Sequence, residues 1–169
     1  PAATTARKLH AAGANIVLHY NASKIAAEAL QLELNSKRSK SAHVVQGDLL
    51  DFNNLSNIIN ESVSEWNRLD ILINNASTFY PTPVGVVKER AWDVLMGSNL
   101  KAPFFLAQSA ARHLKQYNGC IVNIVDIHAD RPLKLYSVYS IAKAGLVMLT
   151  KAMASELSPE VRVNAVAPG

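Results

Sequence analysis

The sequence predicts an α/β fold with a parallel sheet, on two observations: short β-branched or apolar runs recur along the chain, and segments of helical period lie between them. The runs are Asn15 to Leu18, His43 to Gln46, Asp70 to Ile73, Cys120 to Val125 and Val161 to Val166. Strands that alternate with helices of this length read as βαβ units, whose crossovers are right-handed. Thr4 to Ala12 reads as a helix closed by Gly13. After the first strand, Ser23 to Asn35 carries Ile25, Ala29 and Leu32 on one apolar stripe. In Asp51 to Asn67 the apolar positions Leu55, Ile58, Ile59, Val63 and Trp66 share a face, with Asp51 as the cap. Longer helical material fills Lys88 to Tyr117, with Pro103 near the start of a turn, and Tyr136 to Leu157. No repeat, low-complexity linker or domain boundary interrupts this order, so residues 1–169 read as one domain around a single core.

Composition narrows the function classes. Apolar residues make up 49% and charged residues 18%, which argues against a disordered chain. A net charge of +4 and a pI near 9.3 would suit nucleic acid or an anionic small molecule, but the basic residues are scattered. The one tight cluster, Lys37-Arg38-Ser39-Lys40, falls where a helix should end; it is either a solvated helix terminus or a nucleic-acid patch, and we expect no nucleic-acid partner. The single Cys120 excludes an internal disulfide, and no His, Cys and carboxylate cluster has metal-ligand spacing, so neither a metal site nor an oxidising compartment is expected. No apolar run reaches the length of a membrane span and no signal-peptide order opens the chain; the expectation is a cytoplasmic protein with no membrane partner. The chain opens on a helix with no strand and glycine-rich turn before it, and stops at Pro168-Gly169 just after a strand. The expectation is a fragment lacking the first strand and the C-terminal part of a nucleotide-binding fold.

Candidate chemistry starts in Tyr139-Ser140-Ile141-Ala142-Lys143, whose spacing puts Tyr139 and Lys143 on one helix face. An ammonium beside a phenol lowers the phenol's pKa from about 10, so that it can exchange a proton while holding a carbonyl, imine or hydroxyl oxygen. By itself this spacing arises by chance in many helices. Its company makes it specific: Asn74-Asn75-Ala76-Ser77 after a strand, Asn99 in a helix after Trp92, Asp126 at a strand end, and Asn164-Ala165-Val166-Ala167-Pro168-Gly169 at the close.

With these residues the sequence resembles the short-chain dehydrogenase/reductase family over essentially its whole length, and within it the pteridine reductases. The resemblance implies a Rossmann-type, doubly wound parallel sheet with a nicotinamide cofactor across the carboxyl ends of the strands. It implies that Asn75 and Ala76 support the central strand and lie against the cofactor ribose, with Ser77 beside them. Asp48 and the adjacent Leu49 match the position that meets the adenine, and Pro168 and Gly169 match a further cofactor-binding segment. Asn99 matches a helix-kink asparagine of the proton relay. Tyr139 and Lys143 match the catalytic pair, with Lys143 also on the nicotinamide ribose.

Two departures from the general family point to the pteridine reductases. The position thirteen before the tyrosine is Asp126 where Ser or Thr is usual, and a carboxyl group suits the reduction of a C=N bond, where a ring nitrogen needs a proton. A helix cap is the alternative reading of Asp126. In Ser77-Thr78-Phe79-Tyr80-Pro81-Thr82-Pro83, Phe79 matches a phenylalanine that stacks on the flat pterin; a buried core phenylalanine is the alternative. The stretch His19-Tyr20-Asn21-Ala22-Ser23-Lys24 has no carboxylate to bind a ribose 2′-hydroxyl, which favours NADPH, with His19, Tyr20, Asn21 and Ser23 as cofactor contacts and Lys24 near the phosphate. Ala22 stands where many pteridine reductases have arginine. Tyr136 lacks a lysine four residues on and reads as a pocket or packing aromatic. The resemblance thus implies an NADPH-dependent reductase of a pterin or dihydrofolate-type substrate, a homotetramer when full length. The alternatives are another short-chain reductase, such as a ketoacyl reductase, and a non-catalytic dinucleotide-binding scaffold.

Overall fold

In the computed structural model, which describes residues 2–168, five strands form at the β-branched runs: β1 (Ile16–Tyr20), β2 (Ala42–Gln46), β3 (Ile71–Asn74), β4 (Cys120–Ile124) and β5 (Arg162–Val166). Six helices separate them: α1 (Ala2–Ala11), α2 (Lys24–Lys37), α3 (Leu55–Ser64), α4 (Glu89–Met96), α5 (Ala102–Lys115) and α6 (Ser137–Leu157). Every strand pair is parallel, as expected for βαβ units. The described strands make two sheets, ordered β1-β2 and β3-β4-β5, in two units that divide between Arg68 and Leu69.

In the first unit, β1 pairs with β2 from Ile16 opposite Ala42 to Tyr20 opposite Gln46. Gly13 closes α1 in the left-handed region, φ 100°, where glycine alone carries no Cβ penalty. The core gathers Ala6, Ile16, Leu34 and Ala42, with Leu9, Ala14, Leu18 and Leu30 packed against them. This corrects the stripe expected on α2: Ile25 and Leu32 are 85% and 71% exposed, and Leu34 is sealed. Ala27, Leu30 and Leu34 are spaced as helically as Ile25, Ala29 and Leu32, and packing against β1 and β2 selects the former. The basic cluster lies at the end of α2, where Arg38 donates to the carbonyls of Gly13 and Ala14 and to Asn15 Oδ1. A 3-10 turn (Phe52–Asn54) precedes α3, and Asp51 makes no side-chain cap there, contrary to expectation. The expected face of α3 is the buried one, with Leu55, Ile58 and Ile59 in the core and Val63 and Trp66 half-buried.

The second unit is tied together by a buried polar chain. Asn74 Nδ2 donates to Asn123 Oδ1 (2.8 Å), Asn123 Nδ2 to Thr150 Oγ1 (2.9 Å), and Thr150 Oγ1 to the Leu146 carbonyl (2.8 Å), linking β3, β4 and α6. The helical stretch after Lys88 is interrupted by a π-turn (Gly97–Lys101) between α4 and α5. Pro103 stands near the start of α5, and the wide turn accommodates its missing N–H and the clash of its ring with the Asn99 carbonyl. Gly145 lets α6 approach that turn, since a Cβ there would lie 2.7 Å from the Leu100 side chain. No helix among the described residues is long and apolar enough to cross a membrane.

Candidate active site

Tyr139 and Lys143 lie one turn apart on the buried side of α6, each at most 5% exposed. The Tyr139 hydroxyl donates to Asp126 Oδ2 at 2.7 Å. The other carboxylate oxygen, Oδ1, accepts the His128 N–H at 2.9 Å and caps the 3-10 turn Ile127–Ala129. Asp126 therefore caps this turn through Oδ1 and meets the Tyr139 hydroxyl through Oδ2.

The electrostatics reverse one expectation. The phenol's pKa is not lowered: burial pushes it up, the hydrogen bond to Asp126 and that residue's charge push it further, and a hydrogen bond with Ser77 works the other way. Lys143 does not offset this, because its ammonium lies 5.6 Å from the Tyr139 ring centroid and donates to the Ile124 carbonyl at 2.9 Å. Burial holds the lysine below its ordinary value, against the pull of Asp126. At Asp126 burial works upward, but the His128 N–H, the Tyr139 hydroxyl and the charges of His128 and Lys143 outweigh it, so the carboxyl sits below its usual range. At neutral pH the shared proton belongs to Tyr139 and Asp126 is ionised.

Asn99 is fully buried in the π-turn, a kink in the helix as the resemblance implied. Its Nδ2 donates to the carbonyls of Thr78 and Leu95, both at 2.9 Å, and its Oδ1 accepts the Ser77 hydroxyl at 2.7 Å. The Ser77 hydroxyl thus ties the segment after β3 to Asn99, a link the sequence did not disclose. Phe79 is 52% exposed, which removes the core reading. Its ring stacks on Tyr136 with centroids 4.4 Å apart and planes 14° apart, and meets Tyr139 edge-on at 4.8 Å.

The proposed cofactor residues fall at the carboxyl ends of the strands. In the first unit His19 and Tyr20 are the last residues of β1, and Asn21 and Ser23 lie in the exposed loop after it. His19 Nε2 is 2.8 Å from the Gly47 carbonyl, and Gln46 donates to the Asn21 carbonyl at 3.2 Å. Asp48 is exposed, its Oδ1 accepts the Leu50 N–H at 2.9 Å, and Leu49 sits in that turn. In the second unit Asn75, Ala76 and Ser77 follow β3 and the exposed Pro168 follows β5; Gly169 lies outside the described residues. The hydrogen bond that ties β3 to β4 comes from Asn74, the neighbour of the residue the resemblance singled out. Within the second unit Lys143 fits the ribose of a nicotinamide nucleotide: it gives one N–H to Ile124, and an ammonium has two more for a ribose diol. No group of three His, Cys, Asp or Glu among the described residues is placed to hold a metal.

Sequence reasoning missed Asn123, Thr150 and Thr82, all buried. For Asn123 a signal existed, because a polar residue inside an apolar strand run must find a hydrogen-bond partner.

Parallel βα units with a buried Tyr and Lys one turn apart on the helix after β4 define a class of nicotinamide-dependent oxidoreductase. The family model of short chain dehydrogenases matches residues 2–169, and the chain belongs to that family. It is 34% identical to pteridine reductase 1 of Leishmania tarentolae, over 97% of this chain and 70% of that protein. It is 35% identical to the 3-oxoacyl-[acyl-carrier-protein] reductase FabG of Staphylococcus aureus, over 93% of this chain and 64% of that one. A probable galactose dehydrogenase, GalD of Rhizobium meliloti, is 34% identical over 86% of this chain and 59% of its own length.

Proposed function

We propose that this site reduces a C=N bond of a pterin or dihydrofolate-type substrate with NADPH. The observation that carries the reading is the Asp126 carboxylate bonded to the Tyr139 hydroxyl at 2.7 Å, with the open Phe79 ring beside that phenol. Such a ring offers a flat heteroaromatic a stacking face. When bound, a nicotinamide would supply hydride; the family resemblance assigns Lys143, Asn75, Ala76, Ser77 and Pro168 to its ribose side, and His19, Tyr20, Asn21, Ser23, Asp48 and Leu49 to the adenosine side. The absence of a carboxylate from His19 to Lys24 favours a 2′-phosphate over a free hydroxyl. Tyr139 donates a proton to the substrate nitrogen. Asp126 orients the phenol, and its 29%-exposed side chain passes a solvent proton back to it. The likeness to pteridine reductase 1 supports this reading.

A second reading, reduction of a ketoacyl thioester, is supported by the 35% identity to the 3-oxoacyl reductase and uses the same Tyr139, Lys143 and Asn99. Asp126→Ser separates the two. It should cut pterin turnover about a hundredfold while NADPH binding is kept. Unchanged pterin turnover would reduce Asp126 to a cap and sink the pterin reading. Robust wild-type turnover of an acetoacetyl thioester without pterin activity would establish the other.

In the full-length protein we place α5 and α6 at the contacts of a homotetramer. Phe104, Ala107, Leu149 and Met153 line an apolar groove of about 200 Å³ between these helices, and light scattering would test the state. The lone free thiol, Cys120, suits a reducing cytoplasm.

A further inference from the structure

Among the loop residues that follow Phe79, Thr82 is 2% exposed, while Val84 and Val86 nearby stand in solvent. Its N–H, its carbonyl and its Oγ1 all meet the segment that leads into and opens α6. Its N–H donates to the Leu135 carbonyl at 2.6 Å, its carbonyl accepts the Ser137 hydroxyl at 3.0 Å, and its Oγ1 accepts the Val138 N–H at 3.2 Å. Thr82 also pairs with Tyr136 as an isolated parallel bridge. The Val138 N–H belongs to the first turn of α6, where no helix carbonyl is available to accept it. Leu135 presents its carbonyl from the left-handed region, φ 70°, which is costly for a branched side chain and persists only where its surroundings over-determine it. On the other side of the loop, the Tyr80 hydroxyl donates to the Ala91 carbonyl at 3.2 Å. The loop is therefore anchored to α4 and, three residues after Phe79, to the start of the helix that carries Tyr139.

We propose that Thr82 is a positioning residue: it clasps the Phe79 loop to the N-terminus of α6 and so sets the stacking ring against Tyr136 and edge-on to Tyr139. The inference rests on the reading of Phe79 as the substrate platform and Tyr139 as the proton donor. A platform and a donor on separate segments deliver a substrate correctly only if their spacing is held, and misplacement of about 1 Å is enough to cost a large factor in rate.

The test uses the full-length protein and two substitutions. Thr82→Val keeps the shape and the backbone bonds but removes the Oγ1 acceptor, and Thr82→Ser keeps that acceptor. Thr82→Val should lower kcat/KM for the pterin about tenfold, with the Kd for NADPH unchanged, and Thr82→Ser should restore the wild-type value. In a Phe79→Ala background Thr82→Val should cost little more, because the ring it positions is gone. An equal fractional loss in both backgrounds, tracking a fall in Tm, would make Thr82 merely structural and overturn the proposal. Hydrogen exchange provides a readout independent of substrate: in Thr82→Val the amides of Phe79, Tyr80, residue 82 and Val138 should exchange faster, with the rest of α6 unchanged. Unaltered exchange overturns the clasp whatever the enzyme reduces. Accelerated exchange in a protein that turns over no pterin overturns the pterin reading and leaves the clasp standing.

Discussion

On α2 the apolar Ile25 and Leu32 stand in solvent while Leu34 is sealed; on α6 the polar Tyr139, Ser140, Lys143 and Thr150 are buried while Ile141 and Met148 are about half exposed or more. The two helices show that hydrophobicity alone does not choose the buried face. On α2 two apolar stripes of equal spacing compete, and the neighbouring strands accept one of them. On α6 polar side chains are buried because each finds a partner: Lys143 at the Ile124 carbonyl, Tyr139 at Asp126, Ser140 at the Leu133 N–H, Thr150 at Asn123 and Leu146. Such burial would cost several kcal/mol per group, on the order of 2–7 by transfer scales, if the partners were absent.

The largest test of this contrast falls on α6. Tyr139→Phe removes the phenolic proton while its ring still packs, and should lower kcat by about a hundredfold to ten-thousandfold. Fluorescence titration should find NADPH binding little changed, since Lys143 is intact; a parallel loss of binding would mean that the phenol organises the cofactor site as well.

On α2 the stripes separate by stability. Leu34→Ala should cost about 2–4 kcal/mol in urea unfolding, and Leu32→Ala less than about 0.5 kcal/mol. Comparable costs would show that the sequence-expected stripe is covered after all.

A smaller effect is expected in the loop that precedes α2. Ala22→Asp introduces a carboxylate that repels a 2′-phosphate and should move the kcat/KM ratio about tenfold toward NADH. Wild-type preference for NADH would already refute the NADPH reading.

The smallest effect is electrostatic and lies on the outer face of α2. Hydrogen bonds from Arg7 and then Lys37 hold Glu33 at about 2, against an ordinary 4.5. Because the folded pKa is the depressed one, the stabilisation is present above about pH 4.5 and is lost as pH falls through about 2. Glu33→Gln should flatten the acid limb of stability in that window, only slightly, because the pair is solvent-exposed. A large flattening would show that this contact bears on the core.

Strand positions were legible in the sequence because β-branched runs between turn residues carry their own local signal, and each observed strand lies within two residues of its expected span. Tyr139, Lys143, Asp126, Asn99 and Phe79 were legible too, through their spacing and the family they resemble. Asn74 was visible as part of a motif, but its bond to Asn123, across 49 residues, was not. Nothing local marks Thr82, whose partners lie more than fifty residues away.

By itself, then, the sequence determined what depends on near neighbours: helix and strand periods, the one-turn spacing of Tyr139 and Lys143, the left-handed stop at Gly13, and the lack of a carboxylate after β1. The tertiary structure alone decided which stripe of α2 is buried, which way the phenol's acidity moves, and how Asp126 divides its two oxygens between a cap and Tyr139. The physical reason is that desolvation and hydrogen bonding depend on which distant groups share a space, and that is settled only when helices and strands pack.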